Sequence, residues 1–187
     1  IAKFMAMYPD INVELELTER IVDMVEENID IAIRSGQLND SNLIATHLKN
    51  NDFILSASPS YISQNGMPQT SKRLAEHMCI CYGYVSWKDW YLIEKKPQLL
   101  NLPNRLTVNS VNGQRQLILN DAGIALIPRW AIDKEISQGV LSIVMSTQTF
   151  RPQEILSSTY AIYQNREFIA PKIKVFIEYI KSELIKI

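Results

Sequence analysis

RLTVNSVNGQRQLILNDAGIALIPRW, residues 105–130, is the stretch whose reading decides the fold. Leu106-Thr107-Val108 is a short run suited to a strand, and Asn109 and Ser110 follow with side chains able to cap a helix. Val111 to Asn120 suits that helix, with Leu117, Ile118 and Leu119 as its apolar part. Asp121-Ala122-Gly123 closes it, and Ile124-Ala125-Leu126-Ile127 reads as a buried strand stopped by Pro128. Strand, helix and strand this close together predict a βαβ unit, whose helix starts beyond a strand's C-terminal end. Open α/β sheets take ligands there, where free N–H groups and the positive helix end favour a carboxylate or other anion. No residue in the stretch demands chemistry, so it predicts holding a ligand rather than transforming one.

Working outward, 187 residues suffice for one large domain or two small lobes. A hydrophobic content of 47% is that of a globular chain, and no apolar run approaches the length of a membrane span. Nineteen basic against twenty acidic residues leave a net charge of −1, which argues against this chain gripping a phosphate backbone by itself. Cys79 and Cys81 are the two cysteines, and their spacing in an apolar run points to reduced core thiols on one strand face.

Upstream, Ile1 to Tyr8 reads as the second half of a helix, so the chain is expected to begin inside a domain. Asn12 to Thr18 alternates as a half-buried strand, Glu19 to Asn28 suits a helix, and Ile29 to Arg34 a second strand ending at Ser35-Gly36. A polar turn at Asn39-Asp40-Ser41 leads to strands at Leu43–Leu48 and Phe53–Ala57. Ser58 and Pro59 start a short helix ended by Asn65-Gly66, Ser71 opens another to His77, and Met78–Tyr82 is a buried strand. Past the central unit come a helix from Arg129 to Ser137, a strand Leu141–Met145, a polar connector 146–157 and a strand Thr159–Tyr163. Pro171 begins a C-terminal helix striped with Ile173, Phe176, Ile177, Ile180 and Leu184.

Several of these segments together resemble LysR-type transcriptional regulators. Asn28 to Gly36 is similar to that family's "D-(I/V/L)-A-I-R-x-G" stretch, and Gly123 to Pro128 to its "GIALLP". Ala57-Ser58-Pro59-Ser60-Tyr61-Ile62, Gly66-Met67-Pro68, Leu74 and His77-Met78-Cys79-Ile80 match "ASPxYLxxxGxP…L…HxCI", while Phe4 and Tyr8-Pro9-Asp10 fit its opening. Each motif alone is weak, but in order along the whole chain they are specific. The resemblance implies an α/β fold of two lobes like a type II periplasmic binding protein, with a central ligand cleft and the first strand of lobe I missing. It implies lobe I at 1–56 and 154–187 and lobe II at 57–153. Two departures stand out: Asp121 replaces a usual small residue, and Leu117 to Leu119 stand where the family has alanines.

The implied function is an effector-binding and oligomerisation domain of a cytoplasmic bacterial regulator, not an enzyme. Its effector would be a small anionic or aromatic metabolite, with no cofactor and no metal. Candidate contacts are Arg34, Ser35, Gly36, Ser58, Pro59, Asn109, Ser110, Ile127 and Pro128. Plainer readings stand beside them: Gly36 as a turn, Asn109 and Ser110 as caps, Arg34 in an ion pair, and Trp87 and Trp90 as core or rim aromatics. Implied partners are a second copy in a homodimer or homotetramer, DNA through a missing N-terminal helix-turn-helix domain, RNA polymerase indirectly, and no membrane. The family's dimer would set the first helix and strand 12–18 against helix 111–120 of another copy. Two other classes remain open: an extracytoplasmic solute-binding protein of the same fold, and an enzyme or metal site using Cys79, Cys81, His47 and His77.

Overall fold

The structure, a computed structural model, describes residues 1–20, 22–36, 43–83, 87–103, 105–164 and 169–184. It divides into two compact units, Ile1–Asn50 with Ser158–Ile187, and Asn51–Ser157. The division falls after Asn50 rather than after residue 56, because Phe53–Ala57 hydrogen-bonds inside the second unit.

The first unit opens with α1 (Ala2–Met7), followed by β1 (Ala32–Ser35) and β2 (Leu43–Asn50). Between α1 and β1, two predicted elements are absent among the described residues. Residues 12–18 take no regular secondary structure and pair with no strand among the described residues, leaving Leu15 and Leu17 59% and 85% exposed. Alternation half-buries a segment only where a sheet edge accepts it, and none does here. The helix expected at 19–28 is a single turn. The Asp23 carboxylate accepts the Val25 and Glu26 amides at 2.9 and 3.0 Å, and Asn28 turns the chain at φ +53°. Those side-chain bonds offer the backbone an alternative to a helix. Ile21 and the predicted turn at 39–41 lie outside the described residues.

The second unit holds β3 (Phe53–Ala57), α2 (Pro59–Asn65), α3 (Ser71–Leu74), β4 (Cys79–Tyr82), β5 (Tyr91–Ile93), β6 (Pro97–Leu99) and β7 (Arg105–Val108). Then come α4 (Val111–Leu119), β8 (Ile124–Pro128), a 3-10 turn at Arg129–Ala131, α5 (Asp133–Ser137), β9 (Ser142–Val144) and β10 (Thr149–Arg151). The helix predicted over 129–137 is thus broken in two, and α3 stops short of His77. Five strands form the main sheet in the order β7-β4-β8-β3-β9, with β4 parallel to both its neighbours and β3 antiparallel to β8 and β9. The predicted strand–helix–strand is present, but its strands are not adjacent: β4 lies between them.

Period-two alternation sorts this sheet into two faces. Phe53, Leu55, Cys79, Cys81, Ile124 and Leu126 pack one way, with Trp90 and Phe150 from the segments around a second sheet, β10-β5-β6. Ile80, Ala125 and Ile127 pack the other way against Ile118 of α4 and Ile132. That small antiparallel sheet was not expected, and it occupies part of the polar connector. Only three residues per strand and Pro97 at one start leave little periodicity to read.

Where β4 and β8 separate after Ile80 and Ala125, the buried Gln114 of α4 enters the gap. Its Nε2 donates to the Ile80 carbonyl at 2.9 Å and stands 3.5 Å from that of Leu126. The side chain thereby satisfies ladder carbonyls that the diverging strands leave open.

The chain then returns to the first unit through β11 (Ser158–Gln164) and α6 (Pro171–Leu184). β11 is the middle of an antiparallel sheet, β1-β11-β2. Ile173 and Ile177 of α6 pack on Ala161 and Tyr163 of β11, as the predicted stripe requires. Its Tyr179 is also buried, because Phe4 of α1 sits against Tyr179 and edge-on to Phe176 at about 5 Å.

Candidate functional site

In the second unit, the parallel strands β4, β7 and β8 end at one edge of the sheet. Because β3 runs antiparallel to β8, its first residue, Phe53, stands opposite Pro128 at that edge. The Asn51 amide donates to the Ser157 carbonyl at 2.8 Å, so the chain enters and leaves the unit side by side here. Asn109 and Ser110 follow β7 at this edge. The Ser110 hydroxyl accepts the Gly113 amide at 3.3 Å and caps α4, while Asn109 is exposed. Beyond the cap, the first amides of α4 have no partner within the helix.

Pro128 closes β8 and is buried, and the next amide, Arg129, donates to the Asp52 carbonyl at 2.8 Å. Ile127 has no exposed surface and belongs to the core beneath α4. Its expected place among ligand-lining side chains is corrected to a packing role.

Ser58 and Pro59 lie elsewhere. Antiparallel pairing carries the end of β3 toward the start of β8, with Ser56 opposite Ala125, so both residues stand at the opposite edge from Asn109 and Ser110. They are therefore not at a crossing between units. The buried Ser58 hydroxyl accepts the Tyr61 amide at 3.0 Å, capping α2, and donates to the Asp121 carboxylate. Asp121 takes the left-handed conformation at φ +59° that its position after α4 requires.

In the first unit, Ser35 and Gly36 end β1 beside the start of β11. The Ser35 and Thr159 hydroxyls are 2.5 Å apart, and the Gly36 amide donates to the Ser158 carbonyl at 3.0 Å. Gly36 is buried at φ +115°, a conformation only glycine adopts without strain. Asn50, the last residue of β2, accepts the Ser158 hydroxyl at 3.0 Å, so this edge too is where the chain crosses. Arg34 is half-buried, points to the face opposite Ser35, and makes no ion pair among the described residues.

One residue read from the sequence as packing stands out. Trp87 is 8% exposed, and its indole N–H has no acceptor among the described residues. Its ring meets Phe53 edge-on at 4.9 Å and Tyr82 at 5.4 Å, the residues that begin β3 and end β4 at the crossing edge. Nothing in the local sequence could have revealed the missing acceptor. Elsewhere, a cavity of about 460 Å³ is lined by Cys81, Trp90, Leu99 and Leu102 with Lys88 and Arg105, and none of the expected contact residues faces it.

The cysteine and histidine groups make no catalytic pair. Burial pushes the Cys79 thiol up to about 12 and the Cys81 thiol to about 11, so both are protonated at neutral pH. His77, lowered by burial, has its Nδ1 3.3 Å from the Tyr61 hydroxyl rather than from a thiol. His47 is bonded to Asn50 in the other unit. No group of three metal-ligating side chains occurs among the described residues.

The family profile described as the LysR substrate binding domain matches residues 1–185. The chain belongs to this family. It is 30% identical over 183 residues to the transcriptional regulator CrgA of Neisseria meningitidis, covering 97% of this chain and 60% of CrgA. The structure of the CrgA regulatory domain overlays with a TM-score of 0.86 at 29% identity, over 98% of this chain and 89% of that one. A full-length structure of AphB, a Vibrio cholerae virulence activator, overlays with 0.80 at 25% identity, over 97% of this chain and 61% of AphB. This LysR domain thus spans about 60% of the length of the regulators it matches. The match settles the choice against a solute-binding protein that merely shares the fold, and the relatives are transcriptional regulators. No described helix is long and apolar enough to cross a membrane.

Proposed function

We propose that this LysR domain senses a small organic acid with the short polar residues and free amides at the ends of its sheet strands. One observation carries the reading: Asn109, Ser110 and Pro128 in one unit, and Ser35 and Gly36 in the other, each stand at their own unit's crossing edge. Short polar side chains and the first amides of α4 are the kind of donors that hold carboxylate oxygens. Arg34, without an ion pair among the described residues, supplies a cation in the first unit. Ser58, Pro59 and Ile127 serve the scaffold.

Sensing requires that the effector prefer one arrangement of the domain over another by about 1–3 kcal/mol. In the complete cytoplasmic regulator, this preference acts on a helix-turn-helix domain that binds DNA, and through it on RNA polymerase. Oligomerisation uses the exposed apolar residues Met5, Met7, Leu15 and Leu17 of one copy against α4 of another. Catalysis plays no part.

Thermal-shift screening against small carboxylates and phenolic acids tests the site. A ligand at a hundred times its Kd adds about 2.7 kcal/mol to stability, a rise of roughly 5–11 °C for a domain of this size. The double variant Asn109→Ala, Ser110→Ala is expected to lose that rise, while its unliganded stability falls by about 1 kcal/mol for the missing cap. A hit whose shift survives both substitutions would remove Asn109 and Ser110 from the site, and a screen with no hits would remove the ligand class.

A further inference from the structure

Buried donors without an acceptor are rare in folded proteins, and an unmade hydrogen bond carries the full cost of desolvating the group. Trp87 is such a case. Among the described residues its indole is the sole buried side-chain donor left unpaired; the other two unpaired buried atoms are the acceptors Gln148 Oε1 and Gln153 Oε1. Tryptophan is a poor choice for filling core space at a position where its N–H finds nothing, since phenylalanine would fill most of that space without an orphan.

The placement of the ring gives the orphan a purpose. Phe53 stands opposite Pro128, and Tyr82 stands opposite Val108, one residue before Asn109. Gly83 continues this edge: its amide donates to the Val108 carbonyl at 2.8 Å, and a Cβ placed on it would come 3.6 Å from the Asn109 Cα. The indole is therefore held by two aromatic rings belonging to the strand ends next to the proposed carboxylate donors. The N–H is enclosed in this packing, an unpaired donor within an aromatic surround that a ligand reaches by entering between these rings.

We infer that Trp87 is a specificity-determining residue of this domain, its indole N–H donating to an oxygen of an aromatic carboxylate. The inference rests on the effector reading above and narrows it: the carboxylate oxygens meet Ser110, the amides of α4 and the Trp87 N–H, while the ligand's ring packs among Phe53, Tyr82 and Trp87. An aliphatic acid of the same charge forgoes the ring contacts, and a neutral aromatic alcohol forgoes the charge-assisted bond.

The test uses the 15N-labelled chain with benzoate, 4-hydroxybenzoate and phenylacetate as probes, and acetate and benzyl alcohol as controls. Three tryptophans give three indole N–H signals, and Trp87→Phe identifies the one of interest by its loss. The expected result is that at least one aromatic carboxylate shifts the Trp87 signal, that neither control does, and that Trp87→Phe weakens binding of that probe about tenfold or more. If the probes bind wild type and Trp87→Phe equally, or leave the Trp87 signal in place, the inference fails and the effector reading stands. If an aliphatic acid from the thermal-shift screen binds while no aromatic probe does, the ligand class named here fails alone. Failure of both screens removes both proposals. Should Trp87→Phe not fold, the shift of the wild-type indole decides the matter.

Discussion

At the scale of single residues, backbone geometry is least forgiving at Gly123. It sits at φ +155°, and a Cβ there would come within 2.3 Å of the Met78 carbonyl oxygen. That oxygen also accepts the Ile124 amide at 2.9 Å, tying the start of β8 to the start of β4. Neither backbone can retreat without breaking the parallel pairing of Cys79 with Ile124. Gly123→Ala is expected to destabilise the domain by about 3 kcal/mol or more, read as the shift of its urea midpoint. Two residues earlier, Asp121 tolerates its left-handed conformation and gains the Ser58 hydroxyl as a partner, so the departure from a small residue is absorbed locally.

Between elements, α4 and α5 are joined by one ion pair. The Arg115 guanidinium donates to the Glu135 carboxylate, its Nε at 3.1 Å, with the Glu135 side chain only 10% exposed. The hydrogen bond from Arg115 holds the Glu135 carboxyl below its ordinary value of 4.5, and burial opposes this without cancelling it. A carboxyl with a lowered folded-state pKa stabilises the fold above its unfolded value and loses that contribution as pH falls through the folded one. Glu135→Gln is therefore expected to cost about 1–2 kcal/mol at neutral pH and progressively less as pH drops below 4.5. Melting temperatures of both proteins from pH 7 to pH 3 check it; parallel curves would show that the pair adds nothing.

Across the whole chain, the two units differ in how they are strung. Asn51–Ser157 is one uninterrupted segment with a five-stranded sheet covered on both faces, whereas the other unit is assembled from both ends of the chain. A contiguous segment with its own core has what independent folding needs. Residues 51–157 expressed alone are expected to unfold cooperatively, with the near-ultraviolet circular dichroism of packed Trp87 and Trp90. A segment lacking that signal would show that this core depends on the rest of the chain.

Much of the architecture was legible in advance, because the elements that rely on local signals are spelled out locally. Ser58-Pro59 and Asn65-Gly66 bracket α2, Ser110 and Asp121 bracket α4, and the α6 stripe carries its own period. What failed was whatever depended on a partner outside the local window: residues 12–18 have a strand's pattern but no edge to join, and β5, β6 and β10 make a sheet too short to announce itself. The site followed the same division. The strand-end and helix-start positions of Asn109, Ser110, Ser35 and Gly36 could be read in advance, because such ends are visible in sequence. Ser58 and Ile127 were misplaced because only the antiparallel pairing of β3 with β8, and the packing under α4, determine which edge or face a residue reaches. Sequence by itself thus determined the family, the order of most elements and their caps, since these follow from residues within a few positions of one another. Tertiary structure alone decided strand neighbours, the sorting of candidate residues between edges and the unpaired Trp87 N–H, since each depends on what distant segments bring alongside.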